Sequence, residues 1–159
     1  LASSVIIQAY QRMQSQLQDA WRQRAKDLPY STPYQALVMA SIVEKETAVA
    51  AERPQIAGVF VRRLQQGMRL ETYRNRGLPP TPIALAGRQA LEAALHPADG
   101  ESLFFVARGD GSHVFSATFE QHNKAVLQYQ IRNRKADYRS TPEPVPSSPP
   151  ELPAAGAQP

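Results

Sequence analysis

The sequence predicts an α+β fold, several helices packed on a small antiparallel sheet. Two observations carry this. Apolar residues recur at three- and four-residue steps in most of the chain, which is the helical period. Strand signals are confined to one place, Leu103-Phe104-Phe105-Val106-Ala107 and His113 to Ser116, on either side of the turn Gly109-Asp110-Gly111-Ser112. A third observation bounds the folded part. Of 159 residues and 14 prolines, the stretch from Arg139 to Pro159 is dense in Pro and poor in large apolar residues. Residues 1–138 therefore read as one domain. Residues 139–159 read as a disordered Pro-rich tail, partly polyproline II.

The elements follow in order. Ser3 and Ser4 are candidate caps for a first helix carrying Ile6, Tyr10, Met13, Leu17, Ala20 and Trp21, ending near Asp27 or Leu28. It serves as a packing helix or as a linker from an upstream region. Thr32-Pro33 is an N-cap followed by proline at the first helical position. The helix it opens runs to Glu46 or Thr47 and is apolar nearly all round, as a buried helix is. A third helix starts around Pro54, carries Ile56, Val59, Phe60 and Leu64, and meets a candidate C′ glycine at Gly67. Gly77, Pro79, Pro80 and Pro82 forbid a long helix between Met68 and Ala86. A short helix covers Arg88 to Leu95, stopped by His96-Pro97. Thr118 with Gln121 forms a capping-box pattern for a last helix, with His122, Val126 and Tyr129 at helical spacing, fraying near Tyr138.

Composition excludes several kinds of chemistry. There are no cysteines, hence no disulfides, thiolate metal sites or cysteine nucleophiles. No apolar run approaches the roughly 18–20 residues that span a bilayer. The net charge of +4 is small and spread out, which argues against nucleic acid. His96, His113 and His122 lack metal-site spacing, so no metal or cofactor is expected. His113 can face either side of its strand.

The most unusual segment is Ser41-Ile42-Val43-Glu44-Lys45-Glu46-Thr47, with three charges ending an apolar helix. At 100° per residue Glu44 and Glu46 lie about 200° apart and do not form a carboxylate pair on one face. Glu46 continues the row of Met39, Ile42 and Val43. Glu44 continues that of Leu37, Ala40 and Ser41. Partial burial would suit either as a general acid near neutral pH. Equally, both can be structural partners of Lys45, Arg53 or Arg63. Arg62, Arg63, Arg69, Arg74, Arg76 and Arg88 form either a solvated face or a groove for an anionic ligand. Tyr73, near Leu78-Pro79-Pro80, is a candidate aromatic platform for a sugar.

Taken together, Ala40-Ser41-Ile42-Val43-Glu44-Lys45-Glu46-Thr47, Val59-Phe60-Val61-Arg62-Arg63-Leu64, Gly67-Met68-Arg69-Leu70, Gly77-Leu78-Pro79-Pro80-Thr81-Pro82-Ile83, Phe104-Phe105-Val106-Ala107, Gly111-Ser112-His113-Val114-Phe115 and His122-Asn123 resemble, in order, the endolytic murein transglycosylases of the MltG-like (YceG-like) family. The resemblance implies lytic cleavage of the MurNAc–GlcNAc bond in peptidoglycan glycan strands. It leaves 1,6-anhydroMurNAc ends and implies termination of nascent strands. It maps the catalytic glutamate onto Glu46, with Glu44, Arg63, Thr72, Tyr73, Pro80, Pro82 and His113 toward substrate. It implies the periplasmic face of the bacterial inner membrane, with cell-wall synthases as candidate protein partners. Contact with the membrane would be only through an N-terminal anchor that this chain does not contain. The alternative is a non-catalytic murein-binding or scaffold module that has lost part of its groove. Two departures bear on it. After Met68-Arg69-Leu70 the family continues with Gln-Thr-Asp-Pro-Thr and some tens of residues of groove before a Tyr-Asn-Thr-Tyr stretch, whereas Leu70 is followed at once by Glu71-Thr72-Tyr73. The family's Asn-Arg-Leu reads Arg62-Arg63-Leu64.

Overall fold

The fold comes from a computed structural model, and the structure describes residues 2–70 and 76–132. Its helices are α1 (Ala2–Arg22), α2 (Pro33–Glu46), α3 (Arg53–Gln65), α4 (Arg88–Leu95) and α5 (Phe119–Val126). A 3₁₀ turn, Ala50–Glu52, leads into α3, and a π-helical turn, Leu127–Arg132, follows α5. Strands β1 (Phe104–Ala107) and β2 (His113–Ser116) form a two-stranded antiparallel sheet, with Phe105 opposite Phe115 and Ala107 opposite His113. The α+β class holds.

Helix α2 is the centre of the core. Thr32 Oγ1 accepts from the Gln35 N–H at 3.2 Å, and Pro33 opens the helix. The run Val38 to Val43 is buried, including Ser41, because α1, α3 and α4 all pack on this helix. Uniformly apolar sequence thus becomes a helix covered on nearly every side. Helix α3 ends in a Schellman motif. Gly67 takes φ 66°, its N–H donates to Leu64 O at 3.1 Å, and Met68 N–H donates to Arg63 O at 2.8 Å. The hairpin joins the helices through Phe105, whose ring meets Phe60 edge-on at 5.7 Å. Asp110 closes the hairpin turn by accepting from the Ser112 hydroxyl at 2.6 Å and its N–H at 2.9 Å. Those bonds hold the Asp110 carboxyl below the usual range.

Helix α1 departs from expectation at both ends. It is already helical at Ala2, so Ser3 and Ser4 lie inside it rather than capping it, and it stops at Arg22. Ile6 and Tyr10 are exposed, and Leu17 alone of its residues is fully buried. The apolar row is therefore a packing face only in its C-terminal half. The capping box at Thr118 and Gln121 forms as read. The Pro-rich tail lies outside the described residues.

Candidate active site at the end of the second helix

Glu46 is the last helical residue of α2, and Thr47 fixes the turn after it. Thr47 is buried, donates its N–H to Val43 O at 3.3 Å, and accepts from the Val49 N–H on Oγ1 at 3.0 Å. The glutamate is half-buried at the mouth of the core, above Met39, Ile42 and Val43, all 0% exposed. Its position is set by a helix whose run Val38 to Val43 is buried, rather than by a loop.

Glu44 points elsewhere, as the helical angle requires. Its Oε2 accepts from the Gly87 N–H at 2.9 Å, at the start of α4. Its Oε1 lies 3.4 Å from Arg53 Nη2, at the start of α3. Arg53 also donates from Nη1 to Gln89 Oε1 at 2.6 Å. Both oxygens of Glu44 thus join the end of α2 to the beginnings of two other helices.

The residue after this turn that sequence reasoning passed over is Glu52. Its Oε1 accepts from the His113 N–H at 2.9 Å, and its Oε2 lies 2.8 Å from His113 Nδ1. A carboxylate only accepts, so this contact assigns a proton to Nδ1. His113 faces inward and is buried, its ring edge-on to Phe105 at 5.5 Å. The two residues are 61 apart in the chain, a separation that no local pattern reports.

The arginines divide. Arg63 is 3% exposed and donates from Nε to Leu103 O at 2.5 Å and from Nη1 to Arg69 O at 3.3 Å; its guanidinium lies 5.1 Å from the Phe104 ring centre. Arg62 donates to Ser102 O at 2.8 Å and Ala98 O at 3.0 Å, and burial pulls its guanidinium below the usual range. These two hold backbone around the hairpin instead of forming a solvated face. Arg69, Arg76 and Arg88 are exposed. Thr72, Tyr73 and Arg74 lie outside the described residues, and so does the sugar platform expected at Tyr73.

The proline loop is laid along α2. Ser41 Oγ donates to Val38 O at 2.6 Å and accepts from the Ile83 N–H at 3.0 Å, so a buried hydroxyl fastens the loop to the helix. Pro80 is exposed and Pro82 half-buried. Between this loop and the start of α2 lies a cavity of about 480 Å³, lined by Thr32, Tyr34, Gln35, Val38, Pro79 and Pro80 among others. A second cavity, about 220 Å³, lies between α1 and α4 near Met13, Leu91 and His96. Glu46 lines neither. Among the described residues no three His, Asp or Glu side chains converge as a metal site.

This framework has known relatives. The model of the YceG-like family matches residues 2–72 and 71–128, and the chain belongs to that family. The chain is 36% identical over 124 residues to an endolytic murein transglycosylase of Bacillus subtilis, covering 60% of this chain and 34% of the relative. It is 26% identical over 132 residues to one of Streptococcus pneumoniae, covering 62% of this chain and 24% of the relative. A crystal structure of a yceG-like protein from Listeria monocytogenes superposes with a TM-score of 0.53 at 35% identity, covering 58% of this chain and 38% of that one. The chain thus spans about a third or less of the curated relatives it matches. The two stretches matched by the family model meet at residues 71 and 72, beside the Leu70–Glu71 junction. The Bacillus alignment has 124 positions, more than 60% of a 159-residue chain can fill, so within the aligned span the relative has residues that this chain lacks.

Proposed function

We propose that the chain carries the catalytic core of an endolytic murein transglycosylase. The observation that carries the proposal is the placement of Glu46: one carboxyl at the end of a buried helix, in the motif shared with the family, and turned away from Glu44. A hydrolase of the usual kind needs a second carboxylate across the bond. A lytic enzyme needs one. Glu46 gives its proton to the glycosidic oxygen as the bond from MurNAc C1 to that oxygen breaks. The MurNAc 6-hydroxyl then bonds to C1, and the Glu46 carboxylate takes the hydroxyl proton. No water is consumed, a 1,6-anhydroMurNAc end and a free GlcNAc hydroxyl result, and Glu46 is restored.

The substrate follows from the same reading: murein glycan strands, cut within the chain, with strand termination as the outcome. In this reading the domain works at the periplasmic face of the inner membrane, with cell-wall synthases as candidate partners. On the same reading Glu52, six residues beyond Glu46 in the chain, fixes His113. Purified uncross-linked glycan, digested by the chain and by Glu46→Gln, tests the reaction. Anhydro ends from the parent alone support it.

The junction at residues 70 and 71 favours one second reading, a murein-binding module without cleavage. It predicts strand binding by both proteins and anhydro ends from neither.

A further inference from the structure

We propose that the cavity between the proline loop and the start of α2 is a distal sugar-binding subsite for the same glycan strand, built on Tyr34 and Gln35. The inference rests on the transglycosylase reading for its ligand. Tyr34 is 49% exposed although it stands on α2, whose run Val38 to Val43 is buried. Its ring shares the cavity with Pro79 and Pro80. An aromatic ring presented beside rigid prolines suits the apolar C–H face of a pyranose, which loses little on being fixed there.

Gln35 supplies the polar counterpart. Its Oε1 accepts from the Ser31 N–H at 2.7 Å, while its backbone N–H donates to Thr32. The amide is therefore oriented by the helix cap, and its Nε2 donors are directed away from the backbone. They suit the acetamido carbonyl that every sugar of a murein strand carries.

Position ties this subsite to Glu46. Tyr34 and Glu46 are twelve residues apart on one helix, about 18 Å along its axis and about 120° apart around it. That separation fits several sugar units, so the subsite would be filled only by a strand reaching well past the cleaved bond. The loop that forms its other wall is fastened at Ser41, midway along α2, so the subsite wall and Glu46 are held by the same helix.

The test measures binding rather than turnover. Murein glycan strands of graded length are titrated against the Glu46→Gln chain, alone and combined with Tyr34→Ala, Tyr34→Phe or Gln35→Ala. Tyr34→Ala is expected to weaken binding of long strands roughly tenfold, to leave the shortest binding strand unchanged, and to be rescued by Tyr34→Phe. Gln35→Ala, whose loss also touches the helix cap, is read only after its thermal unfolding matches the parent. Equal affinity of parent and Tyr34→Ala for long strands overturns the subsite, as does an equal loss for every length. Failure of the transglycosylase reading shows separately, as strands that bind in this length-dependent way but are cut by neither the parent nor the variants.

Discussion

Glu44 and Glu46 are two residues apart and face nearly opposite ways because a helix turns 100° per residue. Glu44 is occupied by Arg53 and by the Gly87 N–H. Glu44→Ala leaves that N–H and a part-buried guanidinium without their acceptor, which costs about 1–3 kcal/mol. Thermal unfolding should register it as a drop of several degrees. Tyr30 gives a second prediction at this scale. Its hydroxyl donates to the Ala94 carbonyl, and burial raises the phenol above its usual value of 10.0. Below about pH 10 both folded and unfolded chains keep the proton, so its contribution is constant. As pH rises past that value the unfolded chain ionises first and stability falls. Tyr30→Phe should flatten this alkaline decline in a series of melts across pH. An alkaline limb unchanged in that variant would contradict the assignment.

Elements in this protein are joined at points where backbone approaches closely. Gly58 on α3 faces the Ala98 carbonyl, and a Cβ added there would lie 2.5 Å from that oxygen and 3.0 Å from Arg62 Nη1. Gly58→Ala must push the 96–103 segment off α3, and is expected to cost about 1–3 kcal/mol. Chemical denaturation measures it. The last helix depends on its cap. Thr118→Ala removes the acceptor for the Gln121 N–H at a cost of about 1 kcal/mol. That loss should show as faster amide exchange in residues 119–126, with the core of α2 unchanged. Local features of this kind were legible in the sequence, because each is written in residues three or four apart. Thr32-Pro33, Gly67 and the Thr118–Gln121 box all form as read. Ser3 and Ser4 misled for the same reason: capping residues were present, but α1 was already helical before them.

At the scale of the whole molecule, α2 is covered along its middle by neighbouring helices, with Tyr34 exposed near one end and Glu46 half-buried at the other. The charge cluster ending its apolar sequence stood out in the residues, but those residues left a structural role open, and the choice of Glu46 came from the family resemblance. The frame around it was not legible in the sequence. The bond between Glu52 and His113 joins residues 61 positions apart, and Arg62 and Arg63 reach backbone carbonyls some 40 positions away. Polar residues at such separations read as surface until the fold brings them together. The proposed reaction needs one catalytic glutamate, assigned to Glu46, while the junction at Leu70 and Glu71 bears on how much of the strand the chain can hold. The measurement that tests this most directly is mass spectrometry of uncross-linked murein glycan digested by the chain and by Glu46→Gln. The account predicts 1,6-anhydroMurNAc ends from the parent, none from the variant, and the same thermal unfolding for both. Anhydro ends produced by Glu46→Gln, or by neither protein, would contradict it.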